Sequence, residues 1–254
     1  MKRTVYTMLV LAGMALPAFA VAQATTRQDK QDQKIKALVS AQLQKKDTFR
    51  SVSTDVEDGI VTMTGEVPLY IDKMNAEKRV RKVKSVDGVR NHINVGGTAV
   101  SDRDVQENLA SKLRYDRVGY GIVFNNLAVN VNGGVVIVSG NVRDYPDRDS
   151  ALAIIATTAG VKDVVDEIGV APASIFDDSL RIRLARAIYG NSVLQKYALD
   201  PQAPIRIVVE NGNVELAGIV LNDLDRQMAY TQANSVPGVF SVTNHLAVAT
   251  AVAE

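Results

Sequence analysis

One short pattern occurs three times along this chain, in residues 58–67, 133–142 and 211–220. Each copy opens on a glycine-containing dipeptide, continues through apolar residues and carries a second glycine in the middle of the apolar run. These second glycines, Gly65, Gly140 and Gly218, are separated by 75 and 78 residues, and apolar positions farther along keep the same offsets. A chain with such an internal period is built from tandem copies of one small module.

Each copy is preceded by an apolar stripe in which every fourth residue is apolar. That spacing makes one face of a helix. The stripes are Ile35-Val39-Leu43, Val105-Leu109-Leu113 and Leu180-Leu184-Ile188. Asp102, and Asp177 or Asp178, suit an N-cap or a first helical turn. Every module is therefore predicted to open with a helix, and the loop of variable length that follows is expected at the surface.

A β-hairpin is predicted after this loop. Its turns are Asp58-Gly59, Gly133-Gly134 and Asn211-Gly212, dipeptides that tolerate positive φ in a tight primed turn. On the outgoing strand the second glycine is in phase with the apolar residues and should point toward the core. Glycine inside a strand is unfavourable unless another backbone comes close, and the expected neighbour is the next helix. The glycines predicted to be structural are Gly59, Gly65, Gly134, Gly140, Gly212 and Gly218.

A second helix and a last strand complete the module. The helix begins near an acid (Asp72, Asp147 or Asp225), places a small alanine (Ala76, Ala151 or Ala229) over the strand glycine, and ends near Ser85, Gly160 and Gly238. A strand, helix and strand in one sheet imply a right-handed parallel crossover. The predicted fold class is α+β, with three tandem α-β-β-α-β modules, each a three-stranded mixed sheet with two helices on one face.

The endings of the modules carry a family resemblance. They read Val86-x-x-Val89-x-Asn91-x-Ile93-x-Val95 and Val239-x-x-Val242-x-Asn244-x-Leu246-x-Val248, and Asp166 replaces the asparagine in module two. With the helix, the turn glycine and the strand glycine, this pattern resembles the BON domain family. The resemblance implies an envelope protein similar to the osmotically inducible periplasmic proteins, for which phospholipid binding or protection of envelope proteins is proposed. The predicted modules are residues 28–97, 99–171 and 174–250.

Residues 1–24 are typical of a secretory signal peptide. Lys2 and Arg3 precede a mostly apolar run, and two A-x-A cleavage sites follow, at 18–20 and 22–24. The alternative is an uncleaved anchor, but the run is short for a span of ~20 residues. The chain has no cysteine, which excludes disulfides, a thiol nucleophile and a lipid-modified cysteine at the cleavage site. We expect a soluble protein of the periplasm.

Charge is distributed unevenly among the modules. Residues 27–98 hold 14 Lys/Arg against 10 Asp/Glu, whereas residues 99–172 hold 7 against 10 and residues 173–254 hold 6 against 8. The near-zero net charge gives no reason to expect nucleic-acid binding. The excess in module one lies in its second helix, in Lys73, Lys78, Arg79, Arg81, Lys82 and Lys84. This basic ridge is either a lipid-binding surface or an ordinary solvated helix face.

Residues typical of catalysis or metal binding are sparse. His92 and His245 occupy the same position in modules one and three, and neither has a second histidine at ligand spacing. Ser139-Gly140 lies within a strand, and the glycine-rich turns lack the lysine and hydroxyl of a phosphate loop. We expect no catalytic residue, no metal and no cofactor.

Three functions compete at this point. The first is a non-enzymatic module that binds anionic phospholipid through the basic helix and supports envelope integrity or stress tolerance. The second is a periplasmic chaperone or adaptor that holds unfolded or outer-membrane proteins on apolar surface, for which the apolar helix 151–156 is a candidate if it is not packed against a neighbouring module. The third is a subunit that assembles edge to edge through unpaired strands.

Overall fold

Three separate three-stranded sheets follow one another along the chain, as the three repeats predict. The structure is a computed structural model that describes residues 18–97, 99–115, 123–199 and 205–249. The basic start and apolar run of the predicted signal peptide lie outside the described residues. The described residues group into two compact units, one made of residues up to 64 with 76–92, the other of residues 65–75 with 93 onward.

Every module has the predicted order of elements. Module one contains α1 (Ala18–Leu43), a short 3-10 helix (Asp47–Phe49), β1 (Val52–Glu57), β2 (Ile60–Val67), α2 (Tyr70–Val80) and β3 (Gly88–Val95). Module two contains α3 (Asp102–Tyr115), β4 (Asn126–Asn132), β5 (Val135–Val142), α4 (Tyr145–Ala156) and β6 (Asp163–Val170). Module three contains α5 (Ile175–Tyr189), α6 (Gln195–Leu199), β7 (Arg206–Glu210), β8 (Asn213–Val220), α7 (Asp223–Asn234) and β9 (Ser241–Val248).

The outgoing strand of the hairpin is central in each sheet, since the strand orders are β1-β2-β3, β4-β5-β6 and β7-β8-β9. In modules two and three the hairpin is antiparallel and the last strand joins it in parallel. The core of module two joins Val105 and Leu109 of α3, Val136 and Val138 of β5, and Ile155 of α4. Both helices therefore cover the same face of the sheet, which confirms the predicted fold class.

The hairpin turns are held by a carboxylate from the first helix. The two oxygens of Asp177 accept hydrogen bonds from the backbone N–H groups of Asn211 (3.0 Å) and Gly212 (2.9 Å). Asp102 accepts the amides of Gly133 and Gly134 at 2.7 and 2.8 Å, and Asp32 those of Asp58 and Gly59 at 2.9 and 3.1 Å. We call this arrangement the aspartate clamp.

Of the two predicted positions for these acids, the structure shows the first helical turn for Asp102 and Asp177. Ser101 and Ser174 supply the side-chain oxygens that accept the amides of Asp104 and Asp177. The two residues of each turn have positive φ, 50° at Asn211 and 75° at Gly212 in module three, as a primed turn requires.

The neighbour of the strand glycine differs from the prediction. Gly65, Gly140 and Gly218 have φ of 116°, 110° and 126°, which favours glycine at all three positions. A Cβ added to Gly140 would overlap the carbonyl oxygen of Asn126 on the adjacent strand rather than the next helix. The predicted alanines Ala76, Ala151 and Ala229 are nevertheless fully buried.

The second helix ends before the predicted residues. In module two α4 ends at Ala156, and two i→i+3 hydrogen bonds follow, from Thr158 N–H to Ile155 and from Val161 N–H to Thr158. Modules one and three repeat this double turn. Ser85, Gly160 and Gly238 have positive φ and lie in it, not at the helix ends. Sequence alone misplaces the boundary because the valines of the double turn continue the helical spacing.

One position on the last strand is asparagine in modules one and three and aspartate in module two. Its side chain contacts the second helix in every module. Asn91 donates to Glu77 Oε2 at 3.1 Å, and Asn244 donates to the carbonyl of Arg226 at 3.1 Å. In module two Asp166 instead pairs with the guanidinium of Arg148. This ion pair gives aspartate a role in module two at the position where the other modules have asparagine.

We predict that Asp177→Asn destabilises the protein by about 2 kcal/mol, because one of the two turn amides, that of Asn211 or that of the buried Gly212, would then face an NH₂ group instead of an acceptor. Asp149→Asn is the matched control, since Asp149 is exposed and should change stability by less than ~0.5 kcal/mol. Urea unfolding at neutral pH measures both. Equal midpoints for the two variants would contradict the clamp.

Glycine replacements provide a second prediction. Gly140→Ala should cost at least ~2 kcal/mol, because alanine is strained at φ +110° and its Cβ meets the Asn126 carbonyl. Gly133→Asn should be nearly neutral, since nothing lies within 4 Å of an added Cβ and asparagine tolerates its φ of +60°. Thermal unfolding followed by circular dichroism distinguishes them, and an unchanged midpoint for Gly140→Ala would refute the close approach.

Candidate functional site

The most basic stretch of the chain lies where the second helix of module one ends. α2 stops at Val80, so part of the predicted ridge is on the double turn that follows and not on a helix. The residues still on α2 are Lys73, Lys78 and Arg79, and those on the turns are Arg81, Lys82 and Lys84. The prediction of one helix carrying all six cations is therefore wrong.

Three of the six cations already interact with the protein. Lys73 is half-buried and has a partner. The guanidinium of Arg79 lies over the ring of Phe49, 5.8 Å from its centroid. Arg81 donates from Nε and Nη2 to the same oxygen of Glu77, at 2.9 and 2.7 Å. These three side chains contribute to packing or are partly neutralised.

The other three cations form the exposed surface of this stretch. Lys78, Lys82 and Lys84 are exposed, and none of them forms a hydrogen bond or ion pair with the residues that the structure describes. We call them the lysine cluster. Ala76 and Val80 of the same segment are buried, so the lysines lie away from the core as the helical spacing predicts.

The lysine cluster is specific to module one. The repeat offsets place neutral residues at the equivalent positions, namely Ala153, Thr157 and Ala159 in module two and Thr231, Ser235 and Pro237 in module three. Lysines near a helix C-terminus interact favourably with its dipole, which gives them a small structural value. That effect does not explain why one copy has three and the others none.

The buried ionisable groups stabilise the fold. In module three, Oδ2 of the fully buried Asp225 accepts from the hydroxyl of Tyr197 at 2.5 Å and lies 2.7 Å from Nζ of Lys196. Burial and the Asp225 carboxylate raise the pKa of Tyr197 to about 12, so its phenol stays protonated at neutral pH and cannot act as a base. The same hydroxyl accepts the N–H of Leu221 at 2.7 Å.

Module two uses a different residue for the same purpose. Asn125 is buried, donates to Asp147 Oδ2 at 3.1 Å and accepts the backbone N–H of Arg143 at 2.9 Å. In both modules a residue from the variable loop connects the start of the second helix to the end of the central strand. This arrangement is a structural bridge in which the Asp147 and Asp225 carboxylates are both hydrogen-bonded.

No metal site is found among the described residues, where no group of three or more histidine, aspartate or glutamate side chains is placed to hold an ion. His92 and His245 are both exposed on the last strand of their modules. Within the same residues, the helices are too short or too polar to cross a bilayer.

The apolar helix of module two is mostly buried. Ala151, Ile155 and Ala156 are buried, Leu152 packs against the module core with Tyr70, and only Ala153 among residues 151–156 is exposed. The helix therefore offers no exposed apolar strip.

Modules two and three are joined by a shared core. Phe124, from the segment that precedes β4 of module two, is 4% exposed and belongs to the core cluster of module three with Leu184, Ile188 and Ile205. The loop before β4 therefore packs against the next module and not only against its own.

The family of this chain is clear from comparison with known families. The BON domain model matches residues 31–97, 101–172 and 191–250. The chain belongs to the BON domain family, with three copies of the domain. The third match begins after α5, the helix that opens module three in the structure.

Individual relatives are distant. An uncharacterized protein in the gshII 5′ region of Anaplasma centrale is 27% identical over 123 residues, which is 47% of this chain and 82% of that protein. Two structures of CdsD, a structural protein of the Chlamydia trachomatis type III secretion system, one of them its C-terminal domain, align with 13% identity. The alignments cover 86% and 84% of this chain and 94% and 96% of theirs, with a TM-score of 0.25 in both cases.

Sequence reasoning missed several residues that matter. The role of Asp32 was not predicted because this residue lies in the middle of α1. It nevertheless stands three residues before Ile35, the first residue of the apolar stripe. Asp102 and Asp177 have the same offset before Val105 and Leu180. That shared offset is the signal that would have found it. For Arg114 and Arg206, which the fold brings to one cleft, no local pattern exists.

We predict that Phe124→Ala destabilises module three rather than its own module. Truncation of a buried phenylalanine costs about 3–5 kcal/mol, and here the lost contacts are with α5 and β7. Hydrogen exchange should show faster amide exchange in β7 and β8 than in β4 and β5. Phe240→Ala is the control, because Phe240 is 78% exposed. Faster exchange confined to β4 and β5 would contradict the shared core.

Proposed function

We propose that this protein is a non-enzymatic periplasmic binding protein that associates with anionic phospholipid surfaces through the lysine cluster and supports envelope integrity or stress tolerance. The observation that carries the proposal is the set of three exposed lysines, Lys78, Lys82 and Lys84, without an ion-pair partner among the described residues. Membership of the BON domain family, which suggests a phospholipid-binding or envelope-associated role, supports it. BON domains are generally binding domains without enzymatic activity.

The energetics favour reversible attachment. A lysine near an anionic membrane surface contributes about 1 kcal/mol, so the cluster would contribute about 3 kcal/mol, or roughly a hundredfold in partition. This attraction falls off within a Debye length, so it should be lost at high salt. The other modules carry a slight excess of acids and would add nothing to the attraction.

The proposed periplasmic location is supported by the sequence of residues 1–24, with the basic start, apolar run and cleavage sites described above. The absence of cysteine fits a protein whose stability does not depend on the redox state of its compartment. We propose no nucleic-acid partner and no cofactor.

A second candidate function is the binding of unfolded envelope proteins. One observation favours it: module three exposes Ile175 (91%), Phe240 (78%) and Phe176 (47%). Phe240 and Phe176 cover Gly212 and Gly238, which adjoin each other at the turn end of the module. A client protein would be held there on apolar surface and not on the apolar helix α4.

We predict that Lys78→Glu/Lys82→Glu/Lys84→Glu abolishes co-sedimentation with phosphatidylglycerol vesicles at low salt, because it reverses the charge of the cluster. The wild-type protein should bind at low salt and be released at about 1 M salt, where the Debye length is about 3 Å.

The matched control is Lys30→Glu/Lys34→Glu/Lys46→Glu, which makes the same change in net charge at exposed lysines of module one outside the cluster. It should retain most of the binding. Equal loss in both triple variants would show that only overall charge matters, and unchanged binding by the cluster variant would refute the proposed site.

A further inference from the structure

A second basic feature lies between modules two and three, away from the lysine cluster. A cleft of about 270 Å³ separates the C-terminal half of α3 from the start of β7. Its lining combines two arginines with small and apolar side chains. The residues are Gln106, Ala110, Leu113, Arg114, Asn125, Leu127, Val129 and Arg206.

The two arginines have almost no compensation from the residues that the structure describes. Nη1 of Arg206 donates to Oδ1 of Asn126 at 3.5 Å, the outer limit of a hydrogen bond. Arg114 makes no hydrogen bond or ion pair with the described residues. None of the described residues that line the cleft is acidic.

The positive charge of each guanidinium raises the free energy of the other, because like charges repel. Burial lowers the pKa of Arg206, and the charge of Arg114 lowers it further. Two like charges held together and partly out of water cost free energy unless an anion lies between them.

Other arginines at the junction do have carboxylate partners, as a neighbouring cleft shows. It has a volume of about 530 Å³ and contains Arg143 and Arg181. There Asp144 lies 2.9 Å from Arg143, and Asp178 lies 2.7 Å from Arg181. Carboxylates therefore pair with two of the three arginines of that cleft, the third being Arg186, whereas no acid is found among the described lining residues around Arg114 and Arg206.

We propose that the cleft between Arg114 and Arg206 binds the phosphomonoester group of a small molecule or lipid. Two planar guanidinium groups provide parallel N–H donors that match phosphate oxygens. Leu113, Leu127 and Val129 provide an apolar wall for the few carbon atoms next to the phosphate. The site is independent of the lysine cluster and of the function proposed above.

Charge selects a phosphomonoester over other anions. Two uncompensated guanidinium groups are neutralised by a dianion, and a phosphomonoester carries about −1.5 to −2 near pH 7. A carboxylate or a phosphodiester carries one negative charge and leaves one arginine unpaired. Binding should therefore weaken as pH falls below about 6, where the ester becomes a monoanion.

The test uses the whole protein and two soluble probes, glycerol phosphate and inorganic phosphate, in titration calorimetry at low salt. The wild-type protein should bind glycerol phosphate with a stoichiometry of one. Arg114→Gln and Arg206→Gln should each weaken binding at least tenfold. Arg103→Gln is the control on the same helix; Arg103 is exposed and pairs with Glu107 at 2.8 Å, so binding should not change.

Thermal unfolding shows whether the variants are folded. Without phosphate, Arg114→Gln and Arg206→Gln should unfold at the same temperature as the wild type or higher, because each removes a like-charge repulsion. With glycerol phosphate only the wild type and Arg103→Gln should gain stability. Loss of stability in both arginine variants without phosphate would overturn the proposal, since the arginines would then have structural partners.

Vesicles distinguish the two sources of the phosphomonoester. The vesicle test uses the Lys78→Glu/Lys82→Glu/Lys84→Glu variant as its background, so that the lysine cluster cannot hold the membrane. Binding of this variant to phosphatidate vesicles that Arg114→Gln and Arg206→Gln each abolish, with no binding of glycerol phosphate, would support a lipid source. Binding of soluble glycerol phosphate alone would support a metabolite. Failure to bind either probe, or binding that survives both variants, would refute the site. The phosphatidylglycerol test compares proteins that all keep Arg114 and Arg206, so failure here leaves that test unaffected.

Discussion

The aspartate clamp is the constraint on which each module depends. In module three, Asp177 of α5 accepts both amides of the hairpin turn, while the carbonyl of Gly212 in that turn accepts the N–H of Phe240 at 2.9 Å, just before the last strand. One turn therefore connects the first helix, the hairpin and the last strand. A carboxylate suits this position because it has two acceptor oxygens for two parallel donors. The core between helices and sheet is assembled around this fixed end.

The clamp is present in all three modules, so the modules differ mainly in segments that are not part of it. The loop after the first helix supplies Asn125 to module two and Tyr197 to module three, and each bridges a buried aspartate to the end of the central strand. The double turn after the second helix carries Lys82 and Lys84 in module one but neutral residues elsewhere. A common scaffold thus presents different surfaces in its three copies.

Exposure decides which charges are available for binding. In the sequence, six cations near the end of α2 carry the same charge, but packing over Phe49 and pairing with Glu77 reduce the surface that Arg79 and Arg81 offer. At the junction of modules two and three, by contrast, the fold creates a candidate binding site from cations that the sequence does not single out. Arg114 and Arg206 are ordinary isolated arginines in the sequence, and the fold places them together without an acid among the described lining residues.

The sequence by itself determined the number of modules, the order of their elements, the primed turns and the buried faces of the helices. These features have short periods or local dipeptide signals, so residues such as Leu180, Leu184 and Gly212 reveal them without knowledge of their partners. Only the tertiary structure decided which backbone approaches Gly140, where α2 ends, how Asp32 is used and which module Phe124 stabilises. The clamp joins residues 26 to 35 positions apart, and loops of different length separate them, so no fixed spacing in the chain records the contact. Whether a charge is paired or exposed is likewise set by neighbours that only the folded chain brings together.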